Sequence, residues 1–207
     1  MKSSNRGFSL VELIIVIAIM AILSAAIAPT LIRYINKARK ADDIAAADAI
    51  GTTLQAAITE DDELYDFVNA YAADTKNDRP YKILAYCNPI NNKKEFHIPT
   101  AYRPGGVNDD DAKLFKQLFI EYIGASVTPM KFTSKRFFDQ WVICTDKDCK
   151  FSVWVGAGIG DSHSWLHADG TVEGAGNRKF YMLWPEVEPA YNKLSTPPKT
   201  WNDGSTR

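Results

Sequence analysis

The stretch Arg6-Gly7-Phe8-Ser9-Leu10-Val11-Glu12-Leu13-Ile14-Ile15-Val16-Ile17-Ala18-Ile19-Met20 decides the reading of this 207-residue chain. From Phe8 to Ile32, Glu12 carries the only side-chain charge. About 20 apolar residues rising ~1.5 Å each cross a hydrocarbon core, and a helix satisfies its own backbone there. A carboxylate at the start of such a segment is costly in lipid, so its presence marks function.

Working outward, Ser24, Ala25, Ala26 and Ala28 are small enough for close helix approach. Pro29 cannot donate to the Ala25 carbonyl, so the helix is expected to bend or loosen there. Beyond it Ile35, Ala38, Ile44, Ala47, Leu54 and Ile58 recur at helical spacing, while Arg39, Lys40, Asp42, Asp43 and Asp48 fill much of the rest. Alanines at 41, 45, 46, 47, 49, 56 and 57 favour helix strongly. The pattern predicts one helix from Phe8 to Thr59, roughly 75–80 Å long. Its first half is apolar all round and needs lipid or other copies of itself. Its second half is amphipathic and should lay its apolar stripe on a sheet.

Gly7-Phe8 with Glu12 (a Gly-Phe-x3-Glu start) and Pro29 further along resembles the type IV pilin group, which includes pilus subunits and the pseudopilins of secretion and DNA-uptake systems. The likeness is dense over residues 1–59 and architectural beyond. It implies a cytoplasmic heptapeptide leader, 1–7, cut after Gly7 by a prepilin peptidase, with N-methylation of Phe8. It also implies that Glu12 pairs with the free amine of a neighbouring chain's first residue during assembly, and that Pro29 is a soft point in the fibre. Two unit charges 4 Å apart gain about 4 kcal/mol at an effective dielectric near 20. Such a pair would fix axial register as much as add affinity.

A secretory signal peptide is the competing reading, since Ala26-Ile27-Ala28 has small residues after an apolar core. Glu12 interrupts that core, however, and Pro29 would follow the cut. An anchor unrelated to filaments is the other alternative. Lys2 and Arg6 precede the span while Arg33, Lys37, Arg39 and Lys40 follow it, and that count by itself favours the opposite orientation. The leader resemblance is more specific and sets the orientation expected here.

The chain has 24 basic and 25 acidic residues; loss of Lys2 and Arg6 leaves 22 against 25, a balance of −3. No basic excess calls for nucleic acid. Three cysteines, Cys87, Cys144 and Cys149, leave one over if a disulfide forms outside the cytoplasm. A zinc site with His97, His163 or His167 lacks the paired spacing such sites use.

In the head, Thr59-Glu60-Asp61-Asp62 begins a helix continued by Leu64, Phe67, Val68 and Tyr71. Tyr81–Cys87 and Glu95–Ile98 read as strands, and 99–108 as a loop. Asn108 caps a helix whose expected buried stripe is Leu114, Phe115, Leu118, Phe119 and Tyr122, stopped by Gly124. Phe138–Val155 reads as a hairpin with the turn Thr145-Asp146-Lys147-Asp148, which sets Cys144 opposite Cys149. In that register Val142, Cys144, Cys149, Phe151, Val153 and Val155 share one face. A Cys144–Cys149 disulfide is expected, with Cys87 paired to either as the alternative. Further strands are expected at Ser164–His167, Thr171–Glu173 and Arg178–Trp184, then a proline-rich irregular tail over 185–207.

Gly160-Asp161-Ser162-His163-Ser164 holds a serine, a histidine and an acid, but sequence neighbours do not normally assemble a triad. Phosphate-loop, nucleophile-elbow and dinucleotide motifs are absent from the sequence. No cofactor or metal is expected, and the chain reads as a non-enzyme. The expected fold class is α+β: leader 1–7, long helix 8–59 with 8–32 as membrane and filament core, and head 60–207. The expected role is a type IV pilus subunit; a pseudopilin and a low-copy adhesive pilin using Trp141, Trp154, Trp165, Trp184 or Trp201 are the alternatives. Implied partners are other pilin subunits, the prepilin peptidase, a membrane assembly platform and, before assembly, lipid. The implied location is a single-pass membrane protein, then a surface filament.

Overall fold

The computed structural model describes residues 9–87, 96–99, 107–124, 127, 129–133, 138–160, 163, 165–172 and 178–198. Contacts divide the chain into two units, one up to Ala38 and one from Arg39 onward. Helix α1, Leu10–Glu60, runs through Pro29 without interruption. In the first unit every residue from Ser9 to Ile35 is exposed.

In the second unit α1 buries Asp43, Ala47, Ile50, Gly51, Leu54, Ala57 and Ile58, a stripe at helical spacing. The stripe is rotated from the sequence expectation: Ile44 is half-buried, while Asp43, assigned to the polar face, is buried. Gly51 explains how closely this helix approaches the sheet. A Cβ there would lie 2.2 Å from the Trp184 ring, so only a bare Cα fits.

Helix α2, Asp62–Ala72, starts where expected, with the Asp61 carboxylate accepting from the Leu64 N–H at 2.9 Å. Helix α3, Asp109–Ile123, begins with a reciprocal cap between Asn108 and Asp111. Its buried residues are Ala112, Phe115, Phe119 and Ile123; Leu114 is exposed, and Leu118 and Tyr122 are half-buried. The stripe is therefore narrower than the apolar pattern suggests.

Among the described residues, six antiparallel strands form one sheet: β1 Tyr81–Cys87, β2 Phe96–His97, β3 Gln140–Thr145, β4 Phe151–Gly156, β5 Trp165–Leu166 and β6 Tyr181–Trp184. The order is β2-β1-β3-β4-β6. Strand β5 pairs with β1 at Tyr81 and Lys82, whereas β2 pairs with it at Tyr86 and Cys87. Helix α4, Pro189–Lys193, lies within the segment expected to be irregular. The α+β architecture of a long amino-terminal helix and an antiparallel sheet is as expected.

Both sheet faces are covered. One packs Trp141, Ile143, Phe151, Val153 and Val155 with the helices. The other packs Val142, Cys144 and Trp154 with Ile159, Leu166, Val172 and Phe180. All six residues of β3 and of β4 are buried, so these strands lack the polar alternation of a half-exposed sheet.

That burial corrects the expected hairpin register. Thr145 belongs to β3 opposite Phe151, and Cys144 lies opposite Ser152. The Asp146 carboxylate accepts from the N–H groups of Asp148 and Lys150, both at 2.9 Å, and folds the turn one residue later. Cys149 sits in this turn with φ 57°, the left-handed region. Its side chain joins the helix-facing cluster while that of Cys144 joins the opposite one. Cys144 and Cys149 are free thiols, and the expected bridge between them is overturned. Burial pushes the Cys144 thiol well above its ordinary pKa.

Candidate functional site

In the first unit the described surface is that of the helix itself. Helix α1 is long and apolar enough to cross a membrane. Leu10 and Ile22 are 74% and 70% exposed, and large apolar residues continue to Ile35. Fully burying each such side chain is worth about 1.5–3 kcal/mol, so this surface has a strong demand for lipid or protein cover.

Glu12 stands in the first turn of α1. Its Oε2 accepts from the Ser9 N–H at 2.9 Å, while Ser9 Oγ accepts from the Val11 N–H at 3.3 Å. This reciprocal cap satisfies helix-start donors that lipid would leave bare. The positive end of the helix favours the carboxylate as well. Glu12 Oε1 has no hydrogen-bond partner among the described residues and can receive a further donor. Ser9 was not singled out in the sequence, although Ser-x-x-Glu at a helix start is a recognisable pattern. Gly7 and Phe8, the expected cleavage and methylation positions, lie outside the described residues.

Within the second unit, two side chains of α1 hold the C-terminal part of the head. Lys40 Nζ donates to the carbonyls of Asn192 at 2.7 Å and Leu194 at 2.9 Å, and stands over the Phe132 ring. The Asp43 carboxylate accepts from the N–H groups of Lys131 at 2.7 Å and Phe132 at 2.9 Å, and from the Tyr191 hydroxyl at 3.4 Å. Burial raises the Asp43 pKa above its ordinary value, with these donors opposing the rise. Both were missed as structural ligands, yet Asp43, Ala47, Ile50 and Leu54 lie at one-face spacing, which marks an acid on an apolar stripe.

A second buried ion, Lys82 on β1, pairs with Asp74 at 2.5 Å and faces the Trp165 ring at 3.9 Å. Burial lowers its pKa, with Asp74 pulling it back.

The histidines do not converge. His97 stacks on Tyr86 at one end of β1, while His167 Nδ1 lies 2.9 Å from the Asp78 carbonyl near the other end. His163 Nδ1 accepts from the Gly160 N–H at 3.0 Å. Asp161, Ser162 and Ser164 lie outside the described residues. No group of three metal-ligating side chains occurs among the described residues. Trp141 and Trp154 are buried in the core, Trp165 is nearly so, and Trp184 is packed against α1; Trp201 lies outside the described residues.

A family model of the prokaryotic N-terminal methylation motif matches residues 2–28. The chain is 30% identical over 109 residues to the type IV major pilin protein PilA of Myxococcus xanthus (strain DK1622). The match covers 51% of this chain and 50% of the relative, so the chain spans about half the length of the curated relative it matches. No solved structure matches it. The two matches support the resemblance to type IV pilins.

Proposed function

We propose that this chain, with the amino terminus of a type IV pilin, is a membrane-anchored prepilin that is cut after Gly7, methylated on Phe8 and polymerised into a surface filament. The observation that carries the reading is the α1 surface from Leu10 to Ile32, apolar and exposed on every side, with one carboxylate in its first turn. Lipid covers that surface before assembly, and the same stretch of sibling chains covers it afterwards. The methylation-motif match over 2–28 supports the processing steps.

Residues 1–7 are the leader, 8–59 the long helix with 8–32 as the membrane and filament core, and 60–207 the head. The prepilin peptidase removes the leader on the cytoplasmic side, and an assembly platform in the membrane transfers the subunit to the growing fibre. Each added subunit covers roughly 1,000 Å² or more of helix surface, within the range of specific interfaces. Glu12 keeps Oε2 on the Ser9 N–H and offers Oε1 to the amine of a neighbouring Phe8. The pair matches charge where an uncompensated carboxylate is heavily penalised.

The test is to shear cells, isolate filaments and determine the amino-terminal residue by mass spectrometry. The expected result is this chain in the filament fraction, beginning at N-methylated Phe8. A mature chain beginning at Pro29, or one confined to the membrane, overturns the reading.

A further inference from the structure

Charge is segregated along the chain. Residues 33–40 contain Arg33, Lys37, Arg39 and Lys40 and no acid; residues 60–66 contain five acids and no base. The acidic stretch leads into α2, which borders a groove of about 430 Å³ against α3. Glu63, Asp66 and Asp111 form the groove rim, and Phe67, Ala70 and Leu114 contribute apolar lining. Phe67 stacks on Phe115 at 5.3 Å, which anchors the lining to the core. Among the described residues, Glu63 and Asp66 have no ion-pair partner, and Leu114 is 38% exposed.

The basic stretch has the converse chemistry. Arg33 and Lys37 are four residues apart on α1 and share a face, and Tyr34, three before Lys37, projects beside them. Tyr34 is 68% exposed, and Arg33 and Lys37 have no ion-pair partner among the described residues. An amphipathic aromatic beside two cations fits an apolar floor bordered by carboxylates. Aromatic anchors of this kind dominate binding when they fill a desolvated pocket.

We propose that the groove between α2 and α3 is a docking site for the helical segment 33–37 of a second copy of this chain. The inference rests on the filament reading above. Groove and segment are different patches of one sequence, so the contact is heterologous, and heterologous contacts that do not close propagate as open helical polymers. Before assembly, Tyr34, Arg33 and Lys37 stand at the end of the apolar span, where aromatic and basic side chains sit at lipid headgroups. Assembly replaces the headgroup phosphates with Glu63, Asp66 and Asp111, and the complementary charges also fix which copy and which register is accepted.

The experiment is a charge swap in the full chain, in cells that make the filament. Arg33→Glu with Lys37→Glu, and separately Glu63→Lys with Asp66→Lys, should each lower the sheared filament yield about tenfold or more, as like charges then oppose. All four substitutions together should restore most of the yield. Amino-terminal analysis of the membrane-held chain shows whether each variant is still inserted and processed. A combined variant no better than either pair, or unchanged yields from the single pairs, overturns the docking site. Loss with the basic pair alone, with the groove pair silent, assigns the cations to lipid and also overturns it. A second readout is direct: mixed Tyr34→Cys and Leu114→Cys chains should cross-link between copies on mild oxidation. Absence of that cross-link in intact filaments counts against the site. Failure of the unaltered chain to appear in filaments is a different outcome, which removes the filament reading and this inference with it.

Discussion

Asp43 shows how one side chain ties distant parts of the head together. Its two oxygens take N–H groups from Lys131 and Phe132 and stand beside the Tyr191 hydroxyl, so one carboxylate joins α1, the segment before β3 and α4. Asp43→Ala takes the acceptor from the buried Phe132 N–H and the partly buried Lys131 N–H and should cost roughly 2–4 kcal/mol in denaturant unfolding. The pH dependence has a definite sign. Burial raises the folded pKa, so the folded state holds the proton more tightly than the unfolded one. Stability from this group is fullest below the ordinary carboxylate value of about 3.9, and is lost as pH rises through the raised folded pKa. Unfolding free energies measured across that window should lose this component of their slope in Asp43→Asn. At the other end of α1, Glu12→Gln keeps the shape and removes the charge. Filament yield should fall about tenfold or more with membrane insertion unchanged, consistent with a pair worth about 4 kcal/mol at close range. Equal yields from both chains would remove the ion-pair account of Glu12.

At the scale of elements, the fit of α1 on the sheet turns on Gly51. A methyl group there meets the Trp184 ring at 2.2–2.6 Å, far inside contact distance, and Trp184 is held in β6 opposite Val153. Gly51→Ala should therefore destabilise the head by about 1–3 kcal/mol, although alanine is the better helix former by about 1 kcal/mol. A thermal melt of the variant distinguishes the two effects, since a raised midpoint would mean that the helix preference wins. The elements themselves were unevenly legible. The starts of α2 and α3 were readable because Asp61 and Asn108 cap locally, through hydrogen bonds to residues two or three places on. The β3–β4 connection runs over 146–150 instead of 145–148, which moves the partner of Cys144 from Cys149 to Ser152; both faces of these strands are buried. With no polar alternation to mark a face, the register that separates Cys144 from Cys149 is left to the hydrogen bonds of the Asp146 turn.

At the scale of the whole molecule, the two units differ in what covers their apolar surface. The core from Arg39 onward is closed by its own residues, from Ala47 and Leu54 of α1 to Tyr191 of α4. A chain beginning at Arg39 should consequently be a soluble, cooperatively unfolding monomer by size-exclusion chromatography, whereas the full chain needs detergent or filament. Aggregation of the shortened chain would mean that the head's core is incomplete without the upstream helix. The lipid-compatible stretch of α1 was determined by sequence alone, because such helices are specified by a long run of apolar residues and Glu12 stands out in that run without any tertiary information. The tertiary structure decided the rest: Asp43 as a buried ligand, the separation of the two thiols, and the meeting of an acidic α2 with Leu114 of α3 in one groove. The first and last depend on residues distant in sequence becoming neighbours, of which helical periodicity carries no record, whereas the thiols are separated by a register that two fully buried strands leave unmarked.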